Sequence, residues 1–425
     1  MLIELFGKNF GCFRDEFRLS MLATDIDREM DRGILRIDLD GESEPLELVR
    51  CAAIYGPNAS GKSTVLRAAS ALGFLLTASR RFESDEPLYA YEPFQLASSR
   101  TKATQLGVQA VIDGRVYEYS VAFVRDRFTH EELSEIGPEG RKQLFTRKEQ
   151  DVSGDWKEEP QFKLLSEAFR PNVLLLSIAD SIAPTLARGI AVGLRQHLSF
   201  YDPTEGRWPH SHGGSVAART LRDEAFAGWL RQQLRSVDFG VEDYHVQEVS
   251  QATSFRPKPG EASSDSPEER KTFRLTLLHG SADGEAVPIS YRRESRGTQR
   301  FVELAPLLYD LRHGEQFGAI FMDEIDASMH SDLLAEVIRQ FNCGLRSNEV
   351  RRQIVFALHD TTLIDDEARK AILRRDQVYF TEKDDSGSAR LYSLAEFKER
   401  NVLNLRRRYR QGRYGALPSI GDLSS

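Results

Sequence analysis

The chain opens on a strand-like alternation. Residues 2–6 alternate apolar and polar side chains, and residues 17–21 repeat the pattern near enough to return beside them as a hairpin. Residues 46–55 (LELVRCAAIY) become continuously apolar towards their end, as a strand buried on both faces does. After the turn GPNASGKST, the run STVLRAASALGFLLTA has the apolar spacing and alanine content of a helix. LGVQAVI and VYEYSVAFV, joined by Asp113 and Gly114, predict a further hairpin, and a short strand is expected over 128–133.

From about Gly137 to Val237 the pattern is mainly helical. Its clearest stretch is PNVLLLSIADSIAPTLARGIAVGLRQHLSFY, and it breaks at Pro203 and over 210–214. This segment reads as an inserted helical lobe. Residues 251–271, rich in Ser, Pro, Glu and Gly, read as a mobile loop. FRLTLLHG and AVPISYRRES then return as strands. The last part alternates helix (298–311), strand (319–322), helix (333–342) and strands (353–358, 378–381), which predicts a parallel α/β sheet. The expected organisation is a core part over 1–136, a helical lobe and loop over 137–272, and a second core part over 273–425.

Composition narrows this picture. With 425 residues, 40% hydrophobic and 29% charged, the chain has material for two or three domains with buried cores. A net charge of −8 excludes a general polyanion binder, so any nucleic-acid contact must come from a local patch. Cys12, Cys51 and Cys343 are odd in number and widely spaced, which fits a reducing, cytoplasmic setting. No signal-peptide pattern opens the sequence, and no uncharged apolar run approaches a membrane span.

The chemistry concentrates in a few short motifs. Gly56-Pro57-Asn58-Ala59-Ser60-Gly61-Lys62-Ser63, followed by Thr64, matches the G-x-x-x-x-G-K-[ST] phosphate loop between a strand and a helix. Its glycines let backbone N–H groups curl round a β-phosphate, and the helix N-terminus adds its dipole. Lys62 reaches the β- and γ-phosphates of ATP, and the Ser63 hydroxyl ligates Mg²⁺. The apolar strand AIFM ends in Asp323 and Glu324: Asp323 is expected to hold Mg²⁺, and Glu324 to orient and deprotonate the attacking water. Gln95 is the candidate for a glutamine reaching the metal and the water.

ESRGTQ, with Ser295, Gly297 and Thr298, opens a helix ahead of the acidic pair. It resembles the signature of ABC-type ATPases, in which a serine and a glycine contact the γ-phosphate bound by the opposite subunit; an ordinary helix cap is its other reading. His359, after QIVFAL, matches the switch histidine of the same ATPases, and residues 326–330 take the place of their D-loop.

Together, YGPNASGKST, ESRGTQRF, FMDEIDASMH and FALHD resemble the AAA-labelled, ABC-type ATPases of bacterial phage defence. These include the OLD-family ATPase domains and the stand-alone AbiL-like and RloA-like ATPases of abortive-infection gene pairs, whose ending NLRRRYRQGRYGALPSIG resembles. The resemblance covers the first 150 residues and those after Phe273. It implies an α/β P-loop NTPase with an ABC-type (SMC/Rad50/OLD-like) core, ATP and Mg²⁺ as ligands, and a homodimer or higher oligomer closed around ATP. Arg296 and Thr298 stand where transporters carry glycines, and Ala357 stands where many relatives have threonine. No Toprim-type carboxylate group follows His359, so nuclease or toxin chemistry is expected in a partner chain.

Two functions follow. One is an ATPase switch or scaffold controlling such an effector, with no membrane role. The other is a DNA-sensing ATPase of the Rad50/RecF kind. In that case the arginine run Arg406, Arg407, Arg408, Arg410 and Arg413, with Tyr409 and Tyr414, would grip nucleic acid; it equally suits an acidic partner or a solvated face.

Overall fold

The computed structural model describes residues 1–27, 32–158, 169–182, 186–201, 216–237, 240–252, 269–281, 284–313, 318–326, 330–343, 352–364, 372–397 and 405–416. By contacts the chain forms two units: Met1–Pro209 with Glu315–Ala327 and Ser331–Ser425, and His210–Gly314 with Ser328–His330. This division cuts the chain at other points than the expected 136/137 and 272/273 boundaries.

The first unit carries strands β1 (Leu2–Lys8), β2 (Phe17–Ser20), β3 (Ile34–Ile37), β4 (Leu46–Val49), β5 (Cys51–Tyr55), β6 (Thr104–Ile112), β7 (Arg115–Phe123), β8 (Phe128–Gly137), β9 (Gly140–Lys148), β10 (Asp151–Ser153) and β11 (Ser199–Tyr201). Its helices over the same stretch are α1 (Lys62–Ala78), α2 (Leu175–Ile182) and α3 (Leu186–Gln196). The second unit contributes α4 (Val216–Arg222), α5 (Glu224–Ser236), β12 (Val241–Ala252), β13 (Glu269–His279), β14 (Val287–Ser290) and α6 (Arg296–His313). The chain then returns to the first unit with β15 (Gly318–Met322), α7 (Ser331–Cys343), β16 (Arg352–Ala357), β17 (Val378–Lys383), β18 (Ala389–Ser393) and α8 (Leu405–Arg410).

Two sheets organise the first unit. A seven-stranded antiparallel sheet runs β10-β9-β8-β7-β6-β1-β2. A six-stranded sheet runs β11-β15-β16-β5-β17-β18, parallel except for its last pair. α1 supplies much of the shared core. Val65, Leu66, Leu72, Leu75 and Leu76 recur at helical spacing and are all buried. Truncating one of the leucines would cost about 2–5 kcal/mol. The amide of Gln353 joins the sheets: it accepts from Leu2 N and donates to the carbonyls of Leu2 and Val49.

Two expectations are corrected here. Residues 46–55 are not one strand: β4 pairs with β3, whereas β5 enters the six-stranded sheet. The break falls at buried Arg50, whose N–H goes to Gly33 O. Residues 137–153 do not begin a helical lobe; β9 and β10 extend the antiparallel sheet. There Glu131 accepts from Tyr119 Oη and from the N–H groups of Leu175 and Leu176, beside the equally buried Arg147. This pair fastens the sheet to the start of α2, and burial raises the Glu131 carboxyl above its ordinary value. Of the charged side chains of β9, Arg147 is buried in this network, while Arg141, Lys142 and Lys148 stay exposed.

The second unit packs α4, α5 and α6 with the antiparallel sheet β12-β13-β14. Arg219 on α4 pairs with Asp310 on α6 and lies over the Phe226 ring of α5. The expected loop over 251–271 is strand at both ends; residues 253–268 lie outside the described residues. Among the described residues, no helix is long and apolar enough to cross a membrane.

Candidate active site

Three strand ends build the site. β15, β16 and β5 lie side by side and parallel, with Met322 opposite Phe356 and Ala357 opposite Ile54. Their carboxyl ends therefore share one edge, where ligands of open α/β sheets collect. β5 leads into residues 56–63, β16 into His359, and β15 into Asp323 and Glu324.

The loop after β5 depends on its backbone. Gly56, Ala59 and Gly61 all have positive φ (154°, 60° and 119°). A Cβ on Gly56 would stand 2.4 Å from Thr381 O, and one on Gly61 would stand 3.0 Å from Cys12 Sγ. At Gly56 backbone leaves no room for a side chain; at Gly61 the side chains of Cys12 and Phe13 would have to give way, and its φ favours glycine. The hydroxyls of Ser60 and Thr381, 2.6 Å apart, brace the loop against β17.

Lys62 is buried at the head of α1. Its Nζ donates to Gly56 O (2.8 Å) and Pro57 O (3.1 Å) and lies 3.5 Å from His359 Nδ1. Burial pulls the ammonium below its ordinary pKa, while the carboxylates of Asp323, Asp326 and Glu324 oppose that shift. All three acids therefore act on the lysine electrostatically. Gly61, the N-cap of α1, offers no side-chain cap. The first-turn N–H groups of a helix have no partner within it. Together with the cradle a Cβ would fill and the buried ammonium, this donor set fits a polyphosphate.

Ser63 is exposed beside Lys62, and Asp323 is half-buried at the end of β15. A hydroxyl and a carboxylate are hard oxygen donors suited to Mg²⁺. Asp323 Oδ1 also accepts Glu324 N at 3.0 Å. Glu324 is exposed and has φ 46°, a left-handed conformation sparsely used by non-glycine residues. Holding it there costs on the order of 1–3 kcal/mol, a strain concentrated at functional sites.

Other candidates fall less simply. Gln95 is exposed and donates its amide to Pro93 O within its own loop. That loop is nonetheless tied to the phosphate-loop region: Glu92 O accepts from Gly11 N, and the Glu92 carboxylate pairs with Arg67 on α1. Ser295, Gly297 and Thr298 belong to the second unit. Ser295 Oγ accepts from Thr298 N at 3.1 Å, the bond of an N-cap, and Thr298 is buried with its hydroxyl 2.9 Å from that oxygen.

The C-terminal aromatics are corrected. Tyr409 and Tyr414 are buried and stack on Phe380 of β17, with ring planes 16° and 11° from parallel. They serve as core rings and offer no face for bases. Arg406 donates to Thr361 Oγ1 at 3.1 Å, whereas Arg407, Arg410 and Arg413 are exposed. Thr381 was not singled out in the sequence. Asp326, expected only as the first residue of the D-loop equivalent, accepts the N–H groups of both His359 and Asp360.

Among the described residues, no three His, Cys, Asp or Glu side chains gather as a metal cluster. No curated protein matches the chain. Residues 51–365, well over half of the 425, match the family described as "AAA domain, putative AbiEii toxin, Type IV TA system". That span runs from the first residue of β5 past His359 and takes in the whole three-strand edge. The chain therefore belongs to this AAA-domain family, a P-loop ATPase family of abortive-infection type.

Proposed function

We propose that this chain binds Mg-ATP at the three-strand edge and hydrolyses it, and that nucleotide binding switches its control of a partner effector in antiphage defence. The observation that carries the proposal is the convergence of Lys62, Asp323, Glu324 and His359 on one sheet edge. The toxin–antitoxin description of its family supports the defence setting.

Each residue has a role that its position suits. The α1 N-terminus and Lys62 bind and orient the β- and γ-phosphates, and Lys62 balances the negative charge that develops on transfer. Ser63 and Asp323 would hold Mg²⁺, which would offset negative charge on the phosphates. Glu324 takes the proton of the attacking water, and His359, beside Lys62, contacts the γ-phosphate end.

The finer reading is an ABC-type core of the OLD-like and AbiL/RloA-like kind, acting in the cytoplasm. It closes as a homodimer or higher oligomer in which the Ser295–Gly297 helix start meets the nucleotide of the opposite subunit. The effector, a Toprim-type nuclease or a toxin, acts in trans. Burial of Tyr409 and Tyr414 weighs against the DNA-gripping role of the C-terminal run, though not against DNA sensing elsewhere. Light scattering of Glu324→Gln with and without Mg-ATP tests the switch. A larger assembly with nucleotide supports it; an unchanged mass removes ATP-driven association.

A further inference from the structure

We infer that Asp326 is a positioning residue that locks the loop carrying His359 to the loop carrying Glu324. This rests on the ATPase reading above and adds a residue to it. One carboxylate oxygen, Asp326 Oδ2, accepts the backbone N–H of His359 at 2.7 Å and that of Asp360 at 2.8 Å. Both bonds are short for N–H···O contacts and are charge-assisted, the stronger class. A neighbouring strap reinforces them: Ile325 N donates to Ala357 O at 3.3 Å.

The chain on either side is fixed. Leu358 N donates to Ile54 O, on the strand that leads into the phosphate loop, and Thr361 accepts from Arg406. Between these anchors, His359 and Asp360 have their N–H groups set by Asp326. The backbone of His359 is thereby fixed while its ring lies 3.5 Å from Lys62 Nζ. Glu324 stands two residues before Asp326, so one carboxylate connects the residue that handles water to the residue that faces the phosphates.

The bonds use backbone N–H groups, so an acceptor of the same shape should serve. Asn can accept both through its single carbonyl oxygen, whereas Ala can accept neither. Asp326→Ala should lower kcat for ATP by about tenfold to a hundredfold, with the Kd for a fluorescent ATP analogue within about threefold of wild type. Asp326→Asn should recover most of kcat. In a His359→Ala background, Asp326→Ala should add little, because residues acting as one unit are not additive.

The inference is overturned by Asp326→Ala turning over within twofold of wild type. It is equally overturned by an Asn variant as slow as the Ala variant, or by full additivity with His359→Ala. Loss of kcat matched by loss of binding and of thermal stability would make Asp326 a merely structural residue, which also overturns it. A wild-type protein without turnover would remove the ATPase reading itself. Wild-type turnover that Glu324→Gln stops and Asp326→Ala spares would remove this inference alone.

Discussion

Two helix starts in this molecule carry phosphate-like motifs, and they are built in opposite ways. α1 begins at Gly61 in a left-handed conformation, with no side chain capping its first turn. α6 begins at Ser295, whose hydroxyl accepts from Thr298 N and closes the turn. The first leaves its donors to an anion; the second satisfies one of them within the chain. A helix start is therefore prepared for a ligand by what it withholds from itself, and sequence alone does not show this. Ser295 can meet a nucleotide of another subunit only by giving up its cap or by sharing its hydroxyl.

The sharpest way to break this contrast is at the site served by α1. Glu324→Gln should slow turnover by about 10²–10⁴-fold, the usual worth of a general base, while ATP still binds. Lys62→Ala should weaken ATP binding by about 100-fold, read by equilibrium titration, because it removes a buried ammonium from the phosphate cradle. Gly56→Ala should fail similarly or lose stability, since a Cβ there would meet Thr381 O.

Ser295→Ala sharpens the other half. As a cap it should cost about 1 kcal/mol in chemical denaturation and leave ATP binding unchanged. Loss of ATP-driven association in the same variant, read by light scattering, would show a second role in trans. Arg406→Ala should have the smallest effect, about 1 kcal/mol of stability, since its hydrogen bond to Thr361 Oγ1 is only partly buried.

Much of the three-strand edge was legible because its motifs are local. The phosphate loop, the apolar strand before Asp323 and the strand before His359 are contiguous motifs whose strand and helix contexts can be read from periodicity. Asp113 and Gly114, both at positive φ, form the expected hairpin turn. The rest depends on distant partners. Residues 140–148 (GRKQLFTRK) look polar, yet Arg147 is buried because Glu131 and the carbonyls of Pro171 and Val173 meet it. Tyr409 and Tyr414 suited a nucleic-acid grip, a partner face or a solvated face in the sequence, and it is packing against Phe380, with Tyr55 beside Tyr409 and Phe397 beside Tyr414, that makes them core. Asp326 accepts N–H groups from residues 359 and 360, a pairing that sequence spacing does not signal.

The direct test of hydrolysis at this edge is phosphate release from ATP by the wild-type chain and by Glu324→Gln, with ATP binding measured on the same preparations. Wild-type release that the substitution abolishes, with binding retained, is the predicted result. Equal release from both proteins would contradict Glu324 as the base, and with it the assignment of this sheet edge as the hydrolytic site.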